Sequence, residues 1–116
     1  MDKNIKLTAT CVRVPVLVSH SETVNVELKK KFDIKQIRST LMKAPSCKVI
    51  DQKKNGGYAT PVESAGSFLT YISRIRRDPT KNAVNMWIVS DNLLKGAAFN
   101  AVQIAEVLVK KHIRNN

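Results

Sequence analysis

Residues 8–28 read TATCVRVPVLVSHSETVNVEL, the stretch richest in β-branched residues. Val12, Val14, Val16 and Val18 share one face by period-two alternation, with Cys11, Arg13, Pro15, Leu17 and Ser19 on the other. Both faces are mostly apolar, which predicts a strand covered on both sides. From Ser21 the alternation is cleaner. Glu22, Val24, Val26 and Leu28 face one way, and Ser21, Thr23, Asn25 and Glu27 the other. That pattern predicts a half-solvated strand, at a sheet edge or beside an antiparallel partner.

Two reactive side chains bracket the valines. Arg13 and His20 are seven positions apart, an odd number, so in one straight strand they point to opposite faces. Serving a single site requires a bend, bulge or slip between them, and Pro15 lies in that interval. On residue type alone, a histidine at a strand end is more often a packed or surface residue than a catalyst. An arginine on an apolar strand must meet a carboxylate, a phosphate or water, in a structural ion pair or in a ligand site.

Downstream, FDIKQIRSTLMKAP (32–45) reads as a helix. Asp33 is the N-cap with Gln36 three residues on, Phe32 and Ile37 are placed as a staple, and Pro45 is the stop. Ile34, Ile37, Leu41 and Met42 make its apolar stripe. Residues 47–51 predict a short strand, and 52–67 a loop around Asn55-Gly56-Gly57 and Thr60-Pro61. The paired glycines have no P-loop frame, so they predict a tight turn. Residues 68–75 and 83–89 predict two further strands. A long helix follows over 92–111, capped by Ser90 or Asp91, with Ala97, Ala101 and Ala105 in a row beside Gly96. Its N-terminus offers amides and partial positive charge to an anion or amide ligand, or serves only capping and packing. The expected class is α+β: a mixed sheet with helices mainly on one face, plus the long C-terminal helix.

A chain of 116 residues is one domain or less. No run is long enough for a membrane span and the N-terminus is not a signal peptide, so a soluble, cytoplasmic protein is expected. Two cysteines without paired spacing fit a reducing compartment, and no metal is expected. The net charge of +11 raises the question of a nucleic-acid partner. The charge is spread over residues 29–31, 53–54, 74–77 and 110–114, and six aromatic residues are scattered along the chain. Such a distribution argues against a base-stacking groove. A lysine-rich proteome or an acidic partner explains the charge equally well.

TATCVRVPVLVSHSE (8–22) resembles the C-terminal domain of bacterial aspartate-semialdehyde dehydrogenase. The resemblance continues through GGYATPVESAG (56–66), RIRRDP (74–79) and SDNLLKGAAFNAVQIAE (90–106), nearly the whole chain in the family's order. It implies a domain built like the C-terminal domain of glyceraldehyde-3-phosphate dehydrogenase. It also implies NADP-dependent reductive dephosphorylation of aspartyl 4-phosphate to aspartate semialdehyde, in lysine, threonine and methionine biosynthesis. By the family's motif, Arg13 holds the substrate carboxylate, His20 is the general acid/base and Asn92 touches the cofactor.

The family's nucleophilic cysteine and dinucleotide-binding fold precede this region. Neither Cys11 nor Cys47 takes the nucleophile's place. The chain therefore reads as a C-terminal fragment, split product or separately encoded half. Residues 1–90 are then part of a substrate and dimerisation domain, and 91–116 a helix that packs on the cofactor domain. The fragment is expected to be inactive alone, to use NADP only within a complete enzyme, and to pair as a homodimer or with a complementing N-terminal half. By itself it would leave Leu94, Ala101, Ile104 and Leu108 partly bare. The alternatives are a non-catalytic dimerisation module and a basic nucleic-acid binder.

Overall fold

The computed structural model describes residues 3–113. Residues 1–2 and 114–116, including Arg114 of the C-terminal basic cluster, lie outside the described residues. A four-stranded mixed sheet has the order β1-β4-β3-β2, with β1 at His20–Glu27, β2 at Cys47–Val49, β3 at Thr70–Arg77 and β4 at Ala83–Ser90. β4 pairs antiparallel with both β1 and β3, and β2 pairs parallel with β3. The alternating segment from Ser21 onward is thus the edge strand its pattern predicts, in register from His20 opposite Ser90 to Glu27 opposite Ala83.

Helix α1, Ile34–Lys43, covers one face of the sheet. Asp33 caps it by accepting the Lys35 N–H at 3.1 Å. Ile34, Ile37 and Leu41 pack on a core of Ile72, Ile75 and Val84. Met42, counted with that stripe in the sequence, is exposed. The opposite face is partly covered by the 57–66 loop. There the Trp87 indole N–H donates to the Ala59 carbonyl at 2.8 Å, and the Ala59 N–H donates to the Ser73 hydroxyl at 3.0 Å. That loop contains a short helix, α2, at Pro61–Ser64, which the sequence reading passed over as loop. Gly57 is set by close approach, since a Cβ there would lie 2.3 Å from the Gln52 carbonyl oxygen. The two glycines shape a tight turn.

β3 carries a bulge. Its pairing with β4 shifts between Ser73 and Arg76, and Arg74 has φ +52°. Asp51, just past β2, compensates. Its carboxylate accepts the Arg74 and Ile75 N–H groups at 2.8 and 3.2 Å and pairs with Arg38 of α1. One side chain thus ties α1 to the bulge while satisfying amides the ladder abandons.

The valine run differs most from expectation. Residues 8–18 form no strand, and Val12, Val14 and Val16 are 75, 52 and 44 % exposed. At Pro15 the chain makes a tight turn, with the Val16 N–H donating to the Val14 carbonyl at 2.9 Å. β-branched residues favour an extended backbone, but a strand needs a ladder partner, and no described strand lies beside this arm. The C-terminal helix is equally bare. It comprises a π-helical turn at Leu94–Ala98, an α-helix, α3, at Phe99–Leu108, and a second π turn at Val109–Ile113. None of its residues is buried, and Ile104 and Leu108 are about half exposed.

Arm and helix leave a large surface uncovered. The chain exposes 9502 Å², whereas a compact monomer of its mass exposes about 6,300 Å². Its radius of gyration is 16.0 Å, against about 13 Å expected for the length.

The bulge gives the first test. Asp51→Ala strands two backbone amides and the Arg38 guanidinium, so urea denaturation should show a loss of about 2–3 kcal/mol. An unchanged midpoint would contradict the role assigned to Asp51.

Candidate functional site

The polar centre of the molecule lies where β1 begins and β4 ends. Ser19, immediately before His20, is 2 % exposed and has φ +85°. A serine in this left-handed region is strained by about 1–3 kcal/mol and persists only where its surroundings hold it. Three contacts do so. Its backbone N–H donates to the Asn92 Oδ1 at 2.7 Å. Its hydroxyl donates to the Pro61 carbonyl at 3.3 Å and accepts from the Ser64 hydroxyl at 2.7 Å. Ser64 is fully buried at the end of α2.

The local sequence explains each contributor. α2 starts on a capping box: the Thr60 hydroxyl accepts the Val62 N–H, and the Glu63 carboxylate accepts the Thr60 N–H at 2.7 Å. Pro61 occupies the first turn, where its missing N–H costs nothing. The Thr60 hydroxyl and N–H hold the Glu63 carboxyl below its usual range. Asp91, 3 % exposed, organises the other side. Its carboxylate accepts the Leu93 and Leu94 N–H groups at 2.8 and 2.9 Å and the Gly66 N–H at 2.8 Å. These donors, the Leu94 N–H foremost, push its carboxyl below the ordinary 3.8 against the opposing effect of burial. Asp91 rather than Ser90 is therefore the cap, Ser90 being the last residue of β4.

That capping bears on the helix start, which the sequence leaves open between a ligand site and plain capping. The first amides of the C-terminal helix are already taken by a carboxylate, so the helix start is a poor anion site. Asn92 is different. A backbone N–H fixes its carbonyl oxygen toward Ser19, which turns its NH₂ group away from Ser19 as a donor. The Asn92 NH₂ group is thus a neutral hydrogen-bond donor at the helix start.

Of the three residues singled out in the sequence, His20 and Asn92 are brought together, one residue and one hydrogen bond apart. His20 is exposed, opposite Ser90 and so two positions from Asn92. Arg13 is exposed on the unpaired arm. Among the described residues, neither the Arg13 guanidinium nor the His20 imidazole has a hydrogen-bond or ion-pair partner. Ser19 and Ser64 were not singled out. The Thr60–Glu63 capping box was the available signal for α2, whereas nothing in the sequence marks Ser19 as left-handed.

The molecule is a half-covered mixed sheet with a polar cluster at one end and two bare apolar flanks. A family described as "Semialdehyde dehydrogenase, dimerisation domain" matches residues 1–95, and the chain belongs to it. It is 45% identical over 111 residues to the aspartate-semialdehyde dehydrogenase of Aquifex aeolicus and 47% identical over 111 residues to that of Rickettsia bellii. Each alignment covers 95% of this chain and 33% of the relative. The solved aspartate semialdehyde dehydrogenase II of Vibrio cholerae superposes with a TM-score of 0.76 at 35% identity, over 85% of this chain and 29% of that one. The enzyme of Francisella tularensis gives 0.73 at 30%, over 82% and 27%. The chain spans about a third of the length of the curated relatives it matches, and aligns with their dimerisation domain.

Acid provides a test of the cap. A lowered folded-state carboxyl contributes stability that is complete above its unfolded value near 3.8 and is lost as pH falls through the folded value. Asp78, whose carboxyl the Thr80 N–H and hydroxyl lower to about 2, acts in the same window. Asp91→Asn should therefore reduce, without abolishing, the steepness of the stability loss between about pH 4 and pH 2. An acid profile identical to that of the parent chain would contradict the role of Asp91.

Proposed function

We propose that these 116 residues supply the acid/base and substrate-carboxylate side of an aspartate-semialdehyde dehydrogenase centre. The nucleophilic thiol and the dinucleotide-binding fold come from residues outside these 116, on the same polypeptide or another. The observation that carries this reading is the Ser19–Asn92 hydrogen bond, which joins the start of the His20 strand to the start of the C-terminal helix.

In this reading His20, exposed at the head of β1, is the general acid/base that takes and returns the proton at its imidazole. Arg13 forks onto the substrate carboxylate, and its arm takes up its working position when further strands pair with it. The Asn92 NH₂ group would donate to the cofactor at the helix start. The cofactor is NADP, whose reduced form, NADPH, would supply the hydride when bound. The reaction is the reductive dephosphorylation of aspartyl 4-phosphate, in cytoplasmic amino-acid biosynthesis. The bare side of the C-terminal helix packs on the cofactor domain. Two copies pair through the sheet face opposite α1, where Thr23, Asn25 and Asn85 lie.

The purified 116-residue chain should show no NADP-dependent oxidation of aspartate semialdehyde in the presence of phosphate. Adding the N-terminal two thirds of the Aquifex aeolicus relative should restore turnover. In that mixture His20→Gln should lower kcat at least a hundredfold, and Arg13→Ala should act mainly on KM. Turnover by the chain alone would overturn the division of labour, as would restored turnover indifferent to His20. Sedimentation showing only monomer at high concentration would contradict the pairing.

A further inference from the structure

We infer that Ser64 is a positioning residue: its hydroxyl, acting through Ser19, sets the direction in which His20 leaves the buried cluster. This rests on the role proposed for His20. Ser64 lies within the resembling stretch 56–66, but the resemblance assigns a role only to Arg13, His20 and Asn92.

The geometry is specific. Ser64 is completely buried, so its hydroxyl is not a solvating group. It donates at 2.7 Å to the hydroxyl of the one residue that precedes His20, and lies 3.2 Å from the Pro61 carbonyl. Ser19 donates to that same carbonyl at 3.3 Å. The three oxygens form a closed set, two hydroxyls on one carbonyl acceptor. A Ser19 hydroxyl that accepts from Ser64 and donates to Pro61 has one orientation about its Cα–Cβ bond.

The backbone makes that orientation consequential. At φ +85° Ser19 sits outside the ordinary strand region, while His20 is already in ladder register with Ser90. A return of Ser19 to the common β region would rotate the peptide plane entering His20 and swing the imidazole off its line. The Asn92 carbonyl holds the amide side of Ser19, and Ser64 holds the side chain. The two anchors come from elements far apart in sequence, so neither local propensity nor β1 itself enforces the turn. Gly66, two residues past Ser64, donates to Asp91, next to Asn92. This contact fixes the two anchors relative to each other.

The test is a double-mutant cycle on Ser64→Ala and Ser19→Ala, read in the complemented mixture and by NMR of the 116-residue chain. Each single variant should lower kcat by about tenfold with KM changed less than about twofold, since misplacement of an acid/base group acts on the chemical step. The double variant should be no worse than the more damaging single. In the chain alone, Ser64→Ala should shift the backbone resonances of Ser19 and His20 more than those of Val84 or Met86 on the far part of β4. Unchanged kcat with a lowered melting temperature would overturn the inference and leave Ser64 a packing residue. Multiplicative losses in the double variant would also overturn it. If wild-type halves give no turnover, the proposed function fails, and the NMR arm decides: unmoved Ser19 and His20 resonances then refute the positioning role.

Discussion

The hydrogen bond from the Ser19 N–H to the Asn92 carbonyl is the constraint on which the arrangement depends. It holds a serine in a conformation that its side chain disfavours, at the point where an unpaired arm becomes an edge strand. Strain of this kind persists only if the neighbours overdetermine it. Here they are the first turn of the C-terminal helix, capped by Asp91, and the short helix α2, capped by its own box. Each cap is local, but together they deliver a carbonyl and a hydroxyl to one buried residue.

Outside this cluster, order and cover diverge. The sheet and α1 form a conventional half-sandwich, with Asp51 repairing the bulge in β3. The arm and the C-terminal helix carry much of the remaining apolar surface and bury little of it. Apolar area of this extent is removed from water in most folded proteins. Chain length and alignment agree: about a third of each relative is spanned, within a family described by its dimerisation.

Much of this was legible in the residues. The cap, apolar stripe and proline stop of α1 carry their physical causes on their faces, and so does the alternation from Ser21 to Leu28. The valine run misled because periodicity reports what a backbone prefers, whereas a strand also requires a neighbour. α2 was missed although Thr60-Pro61-Val62-Glu63 spells a capping box, because Asn55-Gly56-Gly57 and Thr60-Pro61 together read as turn. The residues leave the start of the C-terminal helix open between a ligand site and plain capping, and the Asp91 carboxylate, folding back onto the Leu93 and Leu94 amides, takes the capping role. The bulge at Arg74 and the left-handed Ser19 were invisible, since neither position holds a glycine and both are imposed from outside their own segments. His20 stood out by residue type and position, and its role and that of Asn92 came from the family motif; that they are linked through Ser19 is a property of the fold alone.

Amide hydrogen exchange at Ser19 in the 116-residue chain tests the central claim most directly, because that one proton is the link between the His20 strand and the helix start. It should exchange within about tenfold of Val89 in the middle of the sheet. Exchange as fast as that of Val12 and Val14 on the open arm would show that the link does not hold, and that the ordered molecule begins only after His20.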